Sequence, residues 1–511
     1  MSVVISRRWF IGGAASFGAF GGCRFLQRGG LASGVPKLRF GVVSDIHINC
    51  RAKPGESETA RGNELTFVRT LEWFRDQGVD GVVVAGDMAD QGVVDQLHMV
   101  AEAWNRIFPG DRAPDGRKVE RLFVYGNHDM GGVPYARGAF KGQSDAEIKA
   151  KIIYTDPKAA WEGAFHEGFE PIWQKEINGY RFVGAHWWSS QGCRGKDEKF
   201  NEGVVDWYAA HAKGFDPSLP FFHIQHPHPM NTCYGPWAWG RDNGVSTKAL
   251  SAFPNAVAFS GHSHYPLTDE RSVWQGDFTS VGTSSLRYMA AAFEEFPGTG
   301  FENSRTSGPG SRDADAAKLL PRMPNVHDCR EGMLWSVYDD CIVVRRREFL
   351  SGLDVGEDWV LPLPAAESKP FAFAERARKI GAPAFPEGAS LRLERAKAKT
   401  RGAKKTDKAP EVKPVEKACV NVVIPAAVAR DGARAYYFEV RAVPQAGGEG
   451  MLKRVLAEGF NHGVRHVRAV GETVCPIAVD DLPKGKLRFS ATPVNCFGRA
   501  GRPIASGDFT V

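Results

Sequence analysis

The sequence predicts an α/β protein whose sheets are covered by helices, with a small all-β sandwich after it. Three observations carry this class. Apolar runs recur from Lys37 onward, and each stops abruptly in small or polar residues: "KLRFGVVSDIH", "GVDGVVVAGDMAD", "RLFVYGNHD", "YRFVGAHWW", "LPFFHIQHPHP" and "NAVAFSGHSH". The runs are continuous rather than alternating, which is the pattern of strands buried on both faces. Segments of helical period lie between the early runs, whereas after about Pro370 only short strand-like runs follow.

The elements follow in order. Asn63 to Gly78, "NELTFVRTLEWFRDQG", sets Leu65, Val68, Leu71, Trp73 and Phe74 at helical spacing, with Asn63 placed to cap and Gly78 to stop it. With the strands on either side it makes a βαβ unit. "VVDQLHMVAEAWNRIF" is a second helix before the "RLFVYG" strand. Gly131 to Ile177 interrupts the rhythm with a Lys- and Ala-rich helical piece and several aromatics. Phe293 to Val326, rich in Gly, Ser, Pro and Arg, reads as an exposed excursion. "MLWSVYDDCIVVRRREF" gives two strands about a turn at Asp339–Asp340 and closes the first domain near Pro364. Beyond it, "ASLRLERAKAKT", "ACVNVVIPAA", "AYYFEVRAV", "MLKRVLAEGF" and "KLRFSATPVNCFGRAG" read as successive strands of a sandwich. The expected partition is an N-terminal segment 1–36, an α/β domain 37–365, a linker 366–383 and a β-sandwich 384–511 with a basic loop over 395–417.

A chain of 511 residues exceeds one ordinary core, so two domains are expected. The net charge is +6, and Arg392 to Lys417 hold ten Lys/Arg against four Asp/Glu. That segment accounts for the whole excess. A Lys-rich run punctuated by Ala and Pro is a solvated loop, and the near-neutral remainder argues against nucleic-acid binding, which is driven by phosphate neutralisation. The nine cysteines show no C-x-x-C metal spacing, and disulfides or buried thiols both fit.

At the N-terminus, Arg7 and Arg8 precede a glycine-rich stretch too short for a membrane span, which needs ~20 apolar residues. It reads as a targeting segment. The "SRRWFI" run, Ser6 to Ile11, resembles the twin-arginine export signal. That resemblance implies bacterial twin-arginine export machinery as a partner and a periplasmic or cell-surface destination. Cys23 after "FGG" loosely resembles a lipoprotein cleavage site, with Phe20 where leucine is usual. Membrane association is expected only if Cys23 is lipidated.

Each apolar run ends in groups that carry chemistry. Asp45 and His47 follow the first, Asp87 the second, and Asn127, His128 and Asp129 the third; His226 ends "FFHIQ", and His262 and His264 end "AVAFSG". In open α/β sheets ligands bind at that edge. Carboxylate, carboxamide oxygen and imidazole suit Zn, Fe, Mn or similar ions better than thiolate chemistry. Gly86, Gly126 and Gly261 precede three of these groups and let the backbone turn close to a crowded centre. One catalytic zinc takes about three protein ligands. Seven donors are better used by two ions about 3.5–4 Å apart sharing one carboxylate. His223 and His228 are rivals to His226: the first lies inside the strand, and the second is also followed by proline. No G-x-S-x-G nucleophile elbow occurs.

"DIH", "GDMAD", "GNHD", the "QHPHP" histidine and "GHSH" stand in the order and strand context of the calcineurin-like metallophosphoesterases. The chain resembles that family over about Leu38 to His264 in motifs and to about Pro364 in fold. The resemblance implies a β-sheet sandwich flanked by helices. It implies Asp45, His47 and His264 on one metal, Asn127, His226 and His262 on the other, and Asp87 bridging them. The ions implied are two divalent or trivalent metals, with Fe, Zn or Mn the candidates. His128 is implied as the non-ligand histidine near the leaving-group oxygen, with Asp129 supporting it. The expected reaction is hydrolysis of a phosphate monoester or diester by a metal-bridging hydroxide, with His128 aiding the leaving group.

"GNHD" in place of "GNHE" lowers the 5′-nucleotidase-like option. Trp237, Trp239 and Arg241 in "CYGPWAWGRDNG" are candidates to stack on and charge-pair with the phosphorylated substrate, or else pack the loop. His186, beside Trp187 and Trp188, either lines the site or packs in the core.

The C-terminal strands resemble a fibronectin type III or immunoglobulin-like module, carried by the last strand and its "VNCFGRAGRPI" turn. Leu487 and Phe489 stand where the corner tyrosine would be. The alternative function is an exported binding or scaffolding protein in which the sandwich does the work and the phosphoesterase site is a relic. A relic should have lost ligands, and none of the seven is missing. One geometric expectation follows. Residues two apart on a strand share a face, so sending His262 and His264 to different ions requires the chain to leave its strand at Gly261.

Overall fold

A computed structural model describes residues 34–58, 62–187, 203–235, 238, 240–289, 317–319, 329–403, 405, 410–428, 433–460 and 471–511. Arg7, Arg8, Cys23, Trp188, Trp237, Trp239 and most of the Phe293 to Val326 excursion lie outside them.

The strands of the first domain are β1 (Leu38–Val43), β2 (Gly81–Ala85), β3 (Glu120–Val124), β4 (Ile172–Ile177), β5 (Tyr180–Ala185), β6 (Phe221–Ile224), β7 (Ala256–Ser260), β8 (Val273–Gln275), β9 (Thr279–Gly282), β10 (Glu331–Val337), β11 (Cys341–Glu348), β12 (Leu353–Asp354) and β13 (Trp359–Pro362). Its helices are α1 (Leu65–Asp76), α2 (Val94–Ile107), α3 (Gly132–Ala136), α4 (Asp145–Lys149), α5 (Pro157–Phe165), α6 (Gly203–His211) and α7 (Val245–Leu250). One sheet has the order β12-β11-β10-β1-β2-β3, with β13 also on β11; the other runs β4-β5-β6-β7-β9-β8. The strands that carry the motifs are parallel to their neighbours: β1 to β2 to β3, and β5 to β6 to β7 to β9.

The continuous apolar runs are explained by layering. Phe40, Phe182, Phe222, Phe259 and Trp335 fill the space between the two sheets. The Phe40 ring lies 5.2, 4.8, 5.9 and 6.0 Å from those of Phe182, Phe222, Phe259 and Trp335. Such pairs add about 0.5–1.5 kcal/mol each beyond area burial. Val43, Val82 and Val84 face the other way, under Phe67, Leu71, Phe74 and Trp104 of α1 and α2. α6 and α7 cover the outer face of the second sheet. Asn63 Oδ1 accepts from Leu65 N at 3.0 Å, and Gly78 at φ 69° ends the α1 segment.

The Gly131 to Ile177 interruption contains α3, α4 and α5 and an edge strand, β4, that the sequence pattern does not announce. Its "IWQKEI" is largely half-exposed. β8 and β9 are equally silent, being three and four residues long.

After β13, helix α8 (Phe373–Lys379) occupies the expected linker. That connection is fastened rather than loose. Phe371 N donates to Gln275 Oε1 at 2.9 Å, its ring belongs to the inter-sheet core, and Arg376 ion-pairs with Glu270. The remaining strands are β14 (Arg392–Lys399), β15 (Glu416–Ile424), β16 (Tyr437–Pro444), β17 (Met451–Leu456), β18 (Thr473–Ala478), β19 (Lys486–Val494) and β20 (Ile504–Thr510). They form sheets β14-β15-β18 and β17-β16-β19-β20 around Val420, Val422, Phe438, Val440, Ile477 and Phe489.

The basic loop expected over 395–417 is corrected at its two ends, the first of which belongs to the strand expected in "ASLRLERAKAKT". Arg392–Lys399 is an edge strand paired antiparallel along its length with Glu416–Ile424. Lysines on an exposed edge discourage further strand addition. The sandwich touches the first domain directly after His264. Thr268 Oγ1 donates to Phe460 O at 2.6 Å, and the Arg271 guanidinium sits 4.8 Å from the Tyr436 ring centroid.

Candidate metal centre

The motif residues converge because the strand ladders continue past the strand ends. Asp45 N donates to Gly86 O, and His47 N to Asp87 O, both at 3.0 Å. The chain beyond β1 is thus held against the chain beyond β2. Five donors adopt left-handed backbone: Asp45 (φ 52°), His47 (49°), Asp87 (55°), His262 (71°) and His264 (54°). Such a conformation costs an L-residue roughly 1–2 kcal/mol, and strain of this kind concentrates at functional sites. Two glycines show how tight the centre is. A β-carbon on Gly86 would fall 2.4 Å from His226 Nδ1, and one on Gly261 would fall 2.4 Å from Asp45 Oδ2.

Two donor clusters result. In the first, His264 Nε2 lies 2.9 Å from Asp45 Oδ1 and 3.2 Å from His47 Nε2. In the second, His226 Nε2 lies 3.2 Å from Asp87 Oδ2, 2.9 Å from Asn127 Oδ1 and 3.1 Å from His262 Nδ1. Asp87 Oδ2 also lies 3.7 Å from His47 Nε2, so this carboxylate faces both clusters. The chain leaves β7 at Ser260, and Ser263 N turns back onto Gly261 O at 2.8 Å. His262 and His264 therefore diverge, one into each cluster.

The donors fit metal ions. Asp45, His47, Asp87, His226 and His264 are buried. Imidazole nitrogens 3.1–3.2 Å apart repel if both are protonated and leave opposed lone pairs if neither is. A cation among them resolves both conditions, and the mixed N/O donor set suits borderline metals. The outer nitrogens are anchored as ligand histidines require: His226 Nδ1 is 2.8 Å from Ala85 O, His264 Nδ1 is 2.9 Å from Tyr288 O, and His47 Nδ1 faces Asp90 Oδ1 at 3.3 Å.

The field of the centre favours positive charge. Burial pushes the His47 imidazole down, but Asp45, Asp90 and Asp87 outweigh it and lift it to about 10. Burial likewise opposes, and Asp87 and Asp45 overcome, the rise of His226 to about 9. Burial would raise the Asp45 carboxyl, yet His264, His47 and His226 hold it well below the usual carboxylate range.

His128 stands beside the first cluster, its ring 4.5 Å from that of His47 and stacked on Tyr135 at 4.7 Å. Its Nδ1 is 2.6 Å from Asp90 O, with the Asp90 carboxylate 3.9 Å away. Its backbone N donates to Asp87 Oδ1 at 2.8 Å. Burial pushes this imidazole down, against the pull of Asp87.

The support expected from Asp129 is corrected. Its fully buried carboxylate accepts from Gly126 N and Ala89 N at 2.7 Å and from Met88 N at 3.3 Å. It ties the two ligand loops together, and Asp90 attends His128 instead. Asp90 lies inside the "GDMAD" run, so its presence was legible though its role was not.

His186 is corrected as a substrate-binding residue. It is fully buried, takes Tyr125 N on Nδ1 at 3.0 Å, and packs against Trp161 and Phe169. Burial pushes it down to about 3. Successive side chains at a strand end point to opposite sides, and it is Trp187 that faces the centre, 5.8 Å from the His226 ring and 5.6 Å from that of His262.

His223 is a core histidine bonded to Tyr208 Oη and Gln225 Oε1, both at 2.9 Å. His228 is buried between the hydroxyls of Ser260 and Ser263, 2.7 Å from each. The Cys233 to Gly244 loop does reach the centre: a β-carbon on Gly240 would fall 1.9 Å from His262 Cδ2. Arg241 is exposed and pairs through its backbone with His228. Trp237 and Trp239 lie outside the described residues. The residues that pattern reading missed come from three separate segments, Trp187 after β5, Tyr135 in α3 and Tyr288 after β9, and only the "HWW" run hinted at one of them.

Residues 38–266 match the family model described as calcineurin-like phosphoesterase. No curated protein matches the chain. Among solved structures, a dimetal phosphatase from Danio rerio is similar at 11% identity, covering 64% of this chain and 99% of its own, with a TM-score of 0.33. A purple acid phosphatase from yellow lupin (Lupinus luteus) seeds is similar at 13% identity, covering 64% of this chain and 55% of its own, with a TM-score of 0.36. The matched span holds all seven donors and both donor clusters, so over residues 38–266 the chain carries a calcineurin-like metallophosphoesterase domain.

Proposed function

We propose that this chain hydrolyses phosphate esters at a dinuclear centre held by Asp45, His47 and His264 on one side and Asn127, His226 and His262 on the other. The observation that carries this is Asp87 Oδ2, 3.2 Å from His226 Nε2 and 3.7 Å from His47 Nε2, where one carboxylate can serve both donor sets. Two cations held by these donors would supply an activated water near neutral pH and neutralise phosphoryl oxygens. The protein holds the donors rigidly, through the continued ladders and the anchored outer nitrogens. His128 presents the nitrogen that Asp90 O does not engage. In its cationic form it donates a proton to the departing oxygen. Asp90 stabilises that form, and Tyr135 keeps the ring upright. The reading of the centre as a relic on a scaffolding protein finds no missing donor to support it.

We further propose export through the twin-arginine route to the periplasm or cell surface, on the "SRRWFI" run. The three-plus-four strand order of the sandwich supports a fibronectin III-like reading. The test of function is the purified full chain, measured for bound metal and assayed on p-nitrophenyl phosphate and bis-p-nitrophenyl phosphate. Two metal equivalents and turnover of at least one ester are expected. Near-zero metal after exposure to Zn, Mn and Fe would overturn the reading.

A further inference from the structure

The turn after β9 carries a cation that the donor clusters do not use. Leu286 N donates to Ser44 O at 3.1 Å. Ser285 Oγ donates to Asp45 O at 3.2 Å and accepts from Arg287 N at 2.9 Å. Tyr288 O lies 2.9 Å from His264 Nδ1, and its ring is 4.3 Å from that histidine's. The turn is thereby fastened to Ser44, Asp45 and His264, and Arg287 is carried along between two of these anchors.

Arg287 is half-buried. Among the described residues its guanidinium makes no hydrogen bond and no ion pair. Burial pushes it below its ordinary value, against the pull of the Asp90 carboxylate. Asp90 is the carboxylate that faces His47 and His128. The turn that carries Arg287 borders the first donor cluster, with Ser285 on Asp45, Tyr288 on His264, and the Tyr288 ring 6.2 Å from that of His47. Withdrawing a cation from water without a partner is costly, and a planar fork of N–H donors matches phosphate oxygens.

We infer that Arg287 is the phosphate-recognition residue of this centre and that it selects a phosphate monoester over a diester. The inference rests on the dinuclear reading above. A monoester has three terminal oxygens and two negative charges; a diester has two such oxygens and one charge. With two oxygens engaged by the ions, only a monoester retains one for the guanidinium.

The test uses the metal-loaded full chain as wild type, Arg287→Ala and Arg287→Lys. Metal content, melting temperature, inorganic phosphate binding by calorimetry at pH 8, and KM for p-nitrophenyl and bis-p-nitrophenyl phosphate are measured. Expected are unchanged metal content and melting temperature and, in Arg287→Ala, phosphate affinity weakened ~10-fold or more. Monoester KM should rise by a similar factor while diester KM stays within about twofold, with Arg287→Lys intermediate. Phosphate affinity unmoved by Arg287→Ala, or monoester and diester affected equally, overturns the inference while wild-type turnover leaves the phosphoesterase reading standing. A wild type that holds metal but cleaves neither ester overturns both.

Discussion

The Nε2 atoms of His47 and His264 lie 3.2 Å apart, although 217 residues separate them in the chain. Asp45 Oδ1, 2.9 Å from His264 Nε2, completes a buried cluster distinct from the one that receives His262. Since neighbours two residues apart serve different clusters, their deletions should separate. His264→Ala and His262→Ala should each retain about one metal equivalent, from opposite sites, and each should lose at least ~100-fold in kcat/KM. Metal counting with Mn²⁺ resonance spectra checks this. Complete metal loss in both variants would argue for one shared site.

Asp87 is the only described carboxylate within 4 Å of imidazole nitrogens in both clusters, at 3.7 Å from His47 and 3.2 Å from His226; Asp45 reaches only the first. Asp87→Asn removes the charge with little change of shape. Metal content should fall below two equivalents and kcat/KM by more than ~100-fold, with the circular-dichroism spectrum unchanged. Activity within tenfold of wild type would remove the bridging role.

Asp129 and Asp90 should fail in different ways. Asp129→Ala strands three buried N–H groups, each of which costs about 1–3 kcal/mol unsatisfied, so denaturant midpoints should drop. Asp90→Asn should leave stability nearly intact. It removes a negative charge 3.9 Å from His128 Nδ1, so the histidine's limb in the pH–rate profile should move to lower pH. An unmoved limb would separate Asp90 from His128.

Glu331 gives a stability prediction with a sign. Its Oε2 accepts from Leu267 N at 2.6 Å and Ser284 Oγ at 3.1 Å, tying the segment after His264 to the turn after β9. Burial pushes its carboxyl from 4.5 up to about 8, against the pull of Leu267 N, Ser284 and Arg346. Between those values the folded chain holds a proton that the unfolded chain has released, so this group's contribution is full below the lower value and lost as pH rises through the upper. Melting temperature against pH should decline less steeply across that window in Glu331→Gln than in wild type.

Phe40 touches four aromatic rings between the sheets. Phe40→Ala should destabilise by about 3–5 kcal/mol, from lost burial plus the cavity left behind, measured by urea unfolding. A cost below about 1 kcal/mol would show that the layers collapse onto the gap.

Part of the fold is legible in the sequence alone. The early strands and α1 declared themselves because apolar continuity and cap residues are local signals. β4 did not, because an edge strand half in water carries no apolar run. The charged stretch carried two readings, strand in "ASLRLERAKAKT" and loop over 395–417, and only its pairing with Glu416–Ile424, across a connection that no local pattern bridges, decides for strand up to Lys399.

The sequence by itself determined which donors exist, that each stands where a strand stops, and that there are too many for one ion. Period, punctuation and side-chain chemistry are properties of a few consecutive residues. Only the tertiary structure decided that Asp90 rather than Asp129 attends His128, that Trp187 rather than His186 faces the centre, and that the turn carrying Arg287 lies against Asp45 and His264. Each of these turns on which side of a strand end a side chain leaves, and on contacts between loops far apart in the chain. The left-handed turns at His262 and His264 are the clearest case: two histidines one residue apart reach different clusters because the packed backbone around them allows no other course.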